Sequence, residues 1–112
     1  MPYLVTAESL HSASQILFSP ISGYINNVTI AFPSGCNFLV ETLFFHGVNQ
    51  IIPTPTEGVI LGRGGITLDN YTIAVQPNWK VRQNDGIEIQ IFNHDRLNEH
   101  QISAVVHING EI

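Results

Sequence analysis

The sequence predicts an all-β protein, an antiparallel β-sandwich of about eight to ten short strands with almost no helix. Three observations carry this. Apolar and polar residues alternate, most clearly over Ile87-Glu88-Ile89-Gln90-Ile91-Phe92 and Ile102-Ser103-Ala104-Val105-Val106-His107-Ile108. A period of two puts one set of side chains into a core and the other towards solvent or a partner. Gly and Pro punctuate short apolar segments along the whole chain, as in sandwiches and barrels. Finally, 112 residues with 44% apolar content suit one domain with one core.

Taken in order, residues 3–7 are open to two readings, a first strand or an extended arm. Residues 8–13 mix Ala, Glu, Ser and Leu and suit a single helical turn. Residues 14–18 form a strand that Ser19-Pro20 ends. A long strand over 23–32 stops at Pro33-Ser34-Gly35. Residues 38–46 are rich in aromatic and branched side chains that fit a pleated surface. Gly47-Val48-Asn49 then turns the chain into Gln50-Ile51-Ile52. Pro53-Thr54-Pro55-Thr56 cannot sit in a central strand, because its two prolines lack an N–H. A short strand over 59–61, a flexible turn at Gly62-Arg63-Gly64-Gly65, and strands over 66–68 and 71–75 follow. Residues 79–82 suit an edge. Asn84-Asp85-Gly86 is a tight turn in which Gly can take positive φ. Strands over 87–92 and 101–109 close the domain across a polar loop at 93–100. The expected core is Val28, Ile30, Phe32, Leu39, Val40, Leu43, Ile60, Ile73, Ile89, Ile91, Ile102, Ala104, Val106 and Ile108. Residues 1–112 therefore read as one sandwich domain, jelly-roll-like in its many short strands.

Charge narrows the function. The chain has four basic and nine acidic residues, a net charge of −5. Its charged fraction of 12% is about half the usual level of roughly 25%. Arg63, Lys80, Arg82 and Arg96 form no dense run, so no nucleic acid and no anionic membrane is expected as partner. A surface so poor in charge is open to two readings, a face of Ser, Thr, Asn and Gln or one covered by neighbours in an assembly, and the second is favoured because the first gives poor solubility. Cys36 is alone, which excludes an intrachain disulfide and fits a small buried residue. No stretch reaches the length of a membrane helix, and the N-terminus lacks the pattern of a signal peptide, so synthesis in a cytoplasm without export by that route is expected. Asn27-Val28-Thr29 and Asn70-Tyr71-Thr72 are then chance sequons.

Candidate chemistry is sparse. His94, His100 and His107 lie near the C-terminal hairpin with Asp95 and Glu99. His94 and His100 can approach across a loop mouth, but no zinc-enzyme spacing and no His-x-His pair is present, so no metal and no other cofactor is expected. Asp95 with Glu99, or Glu41 with Glu88, would be carboxylate pairs. Glu41 and Glu88 fall at polar positions of alternating strands, where solvated carboxylates are expected. Gly62-Arg63-Gly64-Gly65 lacks the Lys-Ser/Thr ending of a phosphate loop. No nucleophile elbow occurs, and no catalytic residue is assigned. Of the aromatic residues Tyr3, Tyr24, Tyr71 and Trp79, the last two are the candidates for stacking on a sugar.

One set of turns is familiar. Gly23-Tyr24-Ile25 leads to Ala31-Phe32-Pro33-Ser34-Gly35-Cys36-Asn37-Phe38-Leu39-Val40; His46-Gly47, Gln50-Ile51-Ile52-Pro53, Asn93-His94-Asp95 and His100-Gln101-Ile102-Ser103-Ala104-Val105-Val106 follow. Across roughly residues 16 to 109 this resembles small single-domain β-sandwich proteins of bacteriophage virions, capsid decoration proteins among them. The resemblance implies structural roles: Pro33 and Gly35 shaping a turn, Pro53 ending an edge, and Asn93 with Asp95 tying the last loop to backbone N–H groups. It implies a non-enzymatic virion protein, a homo-oligomer bound to other virion proteins such as the major capsid protein or a vertex protein. Tyr3, Leu4 and Val5 are then the candidate partner contact, as a terminal apolar segment able to join a neighbouring sheet. The alternative is a carbohydrate-binding module with exposed Trp79 or Tyr71; a cupin-like metalloenzyme comes third.

Overall fold

The computed structural model describes residues 1–52 and 66–110. Among the described residues nine strands follow one another: β1 (Pro2–Ala7), β2 (Ser12–Phe18), β3 (Gly23–Phe32), β4 (Val40–His46), β5 (Asn49–Ile52), β6 (Tyr71–Val75), β7 (Trp79–Val81), β8 (Gly86–Asn93) and β9 (His100–Gly110). The described residues contain no helix. One sheet has the order β1-β9-β3-β6, with β7 also on β3, and the other has the order β2-β8-β4-β5. Every pairing is antiparallel. The two orders run in step: β1 and β2, β9 and β8, β3 and β4, β6 and β5 hold matching places. The chain thus passes between the sheets as a paired ribbon, which is the jelly-roll form of the sandwich.

The core lies between the sheets and follows the period of two. Tyr3, Val5 and Ala7 point inward from β1, Ile87, Ile89 and Ile91 from β8, and Ile102, Ala104 and Val106 from β9. In β3 the parity changes along the strand. Ile25 is buried, and so are Val28, Ile30 and Phe32. A bulge between Ile25 and Asn27 inserts the extra residue that lets both sets face one core. Tyr3 and Phe44 link the two sheets edge to face, with ring centroids 5.7 Å apart. The Tyr3 hydroxyl donates to the Ile87 carbonyl at 2.8 Å, and burial pushes its phenol well above the usual range.

Several expectations are corrected. Of the two readings of residues 3–7, the structure has the first strand: β1 pairs with β9 over its whole length. Residues 8–13 form no helical turn: Leu10 takes φ of 60°, the His11 N–H donates to the Glu8 carbonyl, and β2 begins at Ser12. The strand expected from residue 38 starts at Val40, because Asn37 and Phe38 both take left-handed φ and extend the Pro33–Gly35 turn. Leu39 is consequently exposed, and Ile73 and Ile108 are only half-buried. In the 84–86 turn the positive φ belongs to Asn84, at 72°, whose side chain tolerates it. Of residues 66–68, Ile66 makes a single bridge to Thr42. The readings at 53–56, 59–61 and 62–65, with Pro53 and Ile60, lie outside the described residues.

Two substitutions probe this packing in opposite directions. A Cβ on Gly23 would lie 1.9 Å from the Asn109 carbonyl oxygen, which β9 cannot move without opening the β3–β9 pairing. Gly23→Ala is expected to destabilise by roughly 3 kcal/mol in urea unfolding. Thr42 is fully buried on β4, opposite Ile91, and its hydroxyl has no hydrogen-bond partner among the described residues. Thr42→Val removes that orphaned group at nearly constant volume and is expected to stabilise by about 1 kcal/mol in the same measurement.

Candidate functional site

Two aspartates flank β8 and organise the ends of the sandwich. Asp85 precedes the strand. Its Oδ2 accepts the Arg82 backbone N–H at 2.8 Å and lies 2.9 Å from His46 Nε2. Its carbonyl accepts the Ser19 N–H, while the Asn84 N–H donates to Ser19, so the turn after β2 docks on the turn before β8. Trp79 Nε1–H reaches His46 Nδ1 at 3.0 Å. Indole can only donate, so Nδ1 carries the lone pair and Nε2–H donates to Asp85. The Arg82 amide, and after it His46, hold the Asp85 carboxyl below its ordinary range.

At the opposite end, Asn93 is fully buried. Its Nδ2 donates to the carbonyls of Ala7, Glu8 and Asn98, and its Oδ1 accepts the Asp95 N–H. Asp95 Oδ1 accepts the Leu97 N–H at 2.9 Å, and Oδ2 lies 2.7 Å from His100 Nε2. The Leu97 amide first, then His100, bring the Asp95 carboxyl down to about 2. Next to this loop, His94 Nε2 bonds the Glu41 carboxylate, and its ring leans on Phe92 at 4.5 Å. Glu41 is 1% exposed, which corrects the expectation of a solvated carboxylate. It stands on the outer face of β4, opposite Phe92, and His94 takes the place of water. No spacing signal connects Glu41 with His94, 53 positions later.

The residues singled out in the sequence are dispersed. His94 and His100 turn to different carboxylates, and His107 is exposed on the outer face of the first sheet, opposite Asn27. Among the described residues no three His, Cys, Asp or Glu side chains gather as a metal site. Cys36 is buried; burial, and secondarily the charge of Asp69, push its thiol upward. Tyr3 and Val5 belong to the core, so of the three candidate contact residues Leu4 alone has an exposed side chain, at 61%. Trp79 is half-buried, packs on the core, and meets His46 edge to face. Tyr71 is 59% exposed at the start of β6.

Two surfaces remain as binding candidates. The first is the edge strand β2. Its sequence, Ser-Ala-Ser-Gln-Ile-Leu-Phe, carries no charge. Ile16 and Phe18 point outward, 51% and 66% exposed, and both approach the place a Cβ of Gly86 would occupy. An apolar pair thus stands over bare backbone on an edge that natural sheets usually guard with charge. The second surface is a trough of about 360 Å³ on the outer face of the first sheet, with Leu4, Thr72, Ser103, Gln101, Asn70 and Tyr71 among its walls. Leu4, Ser103, Ala31 and Thr72 form one cross-strand row, and the small Ser103 and Ala31 leave the depression. A smaller cavity of about 270 Å³ lies on the other sheet between Ser14, Gln90, Leu43 and Phe92. No family model matches this chain, and no curated protein matches it.

The Asp95 carboxyl has a pH signature. Because its folded value is depressed, its contribution is complete above the ordinary carboxylate value of about 3.9 and is lost as pH falls towards about 2. The thermal midpoint of the wild type is expected to drop across that acid window. Asp95→Asn should have a lower midpoint at neutral pH and should lack that part of the drop.

Proposed function

We propose that this chain is a non-enzymatic structural protein of a virion, of the capsid-decorating or vertex-associated kind, which self-associates and docks on the shell. The observation that carries this reading is the uncharged edge β2 with Ile16 and Phe18 exposed over Gly86. On a molecule of net charge −5, that edge is a place where two copies meet without opposing carboxylates in the strand itself. A symmetric oligomer would bury both side chains and pair free strand edges. The jelly-roll order supports the reading by analogy, since that architecture serves in viral capsids as well as in lectins and cupins. The resemblance of the turns to phage virion proteins points the same way. Other virion proteins would be the partners, and the virion the final location after synthesis in the host cytoplasm.

Native mass spectrometry at micromolar concentration tests the proposal. A closed oligomer is expected for the wild type. Ile16→Lys/Phe18→Lys, which places like charges on both sides of the contact, is expected to run as a monomer with its thermal midpoint retained. A wild-type monomer, or an oligomer that survives the double substitution, would sink this reading.

A further inference from the structure

We infer that the chain pairs with a second copy across a two-fold axis at Gln15, β2 against β2 antiparallel, and that the cavity beside Ser12 and Ser14 receives Ile16 and Phe18 of that copy. This rests on self-association through the β2 edge and specifies what that edge builds: a dimer in which two four-stranded sheets become one continuous antiparallel sheet. The strand reads Ser12-Ala13-Ser14-Gln15-Ile16-Leu17-Phe18, small residues before Gln15 and large ones after it. Pairing about Gln15 sets Ser12 against Phe18, Ala13 against Leu17 and Ser14 against Ile16 of the other copy. Each large side chain then meets a small one.

The backbone agrees with that register. The Asn93 N–H donates to the His11 carbonyl, and the Ser19 N–H donates to the Asp85 carbonyl. Hydrogen-bonded pairs alternate along an antiparallel ladder. The odd-numbered residues of β2 therefore turn their N–H and C=O groups to β8, and Ser12, Ser14, Ile16 and Phe18 turn theirs to the open edge. An axis at Gln15 sets these four against one another and uses the whole strand. An axis at Ser14 would leave Phe18 with no opposite residue in β2, and one at Ile16 would set Ile16 against itself. The cavity of about 270 Å³ stands on the outer face at the Ser14–Gln90–Leu43 row, with Ser12 and Phe92 beside it. Ile16 and Phe18 project from the same face, both more than half exposed. The two-fold brings them to Ser14 and Ser12 of the other copy, and brings the reverse pairs together in the same step. Charge permits the contact. β2 carries none, and the carboxylate beside it on the outer face is Glu88, opposite Ile16. Three strand spacings separate Glu88 from its copy, roughly 14 Å. That exceeds the Debye length of about 8 Å at physiological salt.

Oxidative cross-linking of the full chain tests the axis. Gln15 meets its copy as a non-hydrogen-bonded pair with Cα atoms roughly 4.5 Å apart, within reach of a disulfide. Gln15→Cys, oxidised at micromolar concentration, is expected to give a covalent dimer on a non-reducing gel. Ala13→Cys is expected to stay unlinked, because its copies stand roughly 14 Å apart. The wild type is expected to stay unlinked as well, since Cys36 is buried. Native mass spectrometry is expected to show a wild-type dimer, which Ser14→Lys, by filling the cavity, weakens about tenfold or more. Ser14→Asp mixed with Ile16→Lys is expected to form a heterodimer about tenfold or more tighter than either variant forms with itself. Thermal midpoints establish that the variants are folded; if Gln15→Cys is not, the mixture decides the register. A closed trimer or larger ring, a folded Gln15→Cys that stays unlinked, linking of Ala13→Cys at the same rate, or a mixture with no preference for the heterodimer would overturn the two-fold while self-association stands. A wild-type monomer would overturn both.

Discussion

The fold depends on the burial of one face of β8. Ile87, Ile89 and Ile91 are each 1% exposed or less, and β8 pairs with β2 on one side and β4 on the other. Fully burying one such side chain stabilises by roughly 1.5–3 kcal/mol. A slip of one residue would expose all three and drive Glu88 and Gln90 into the core. The register of three strands of the second sheet is therefore set by three isoleucines. The facing strand β9 repeats the device with Ile102, Ala104 and Val106.

Polar groups then finish what hydrophobic burial begins. Asp85 and Asp95 stand at either end of β8, and each accepts a backbone N–H and a histidine. Asn93 adds bonds to the end of β1 and to the last loop. Among the described residues histidine is used three times as the partner of a carboxylate, and in each pair one ring nitrogen faces the acid. These contacts close the loops over the ends of the core, where backbone groups would otherwise lack partners. Trp79 belongs to this framework through its hydrogen bond to His46.

What remains for recognition is the outside of the sheets. The two outer surfaces differ in character. The β2 edge is apolar and protruding, which suits a protein partner. The trough between Leu4 and Thr72 is recessed, with hydroxyls and amides among its described residues. A chain with so few charges can carry both without strong repulsion at either surface.

Much of the fold was legible in the sequence because β-structure writes a period of two into local residue choice. The segments at 23–32 and 71–75 coincide with β3 and β6, and the alternation at 87–92 and 102–108 names the buried side of β8 and β9. Turn residues bounded most strands for local steric reasons. The misreadings also have local causes: left-handed Asn37 and Phe38 delay β4, and Leu10 breaks a segment whose composition suits a helix. The candidate site was much less legible. The outer-face trough is built from β1, β3, β6 and β9, strands that are not neighbours in the sequence. Composition and periodicity by themselves determined an all-β sandwich with a lightly charged surface. The jelly-roll order, the Glu41–His94 contact, the confinement of Trp79 and the pairing of Ile16 with Phe18 over Gly86 were decided by tertiary structure, because each depends on which strands lie side by side, and a local period carries no record of that.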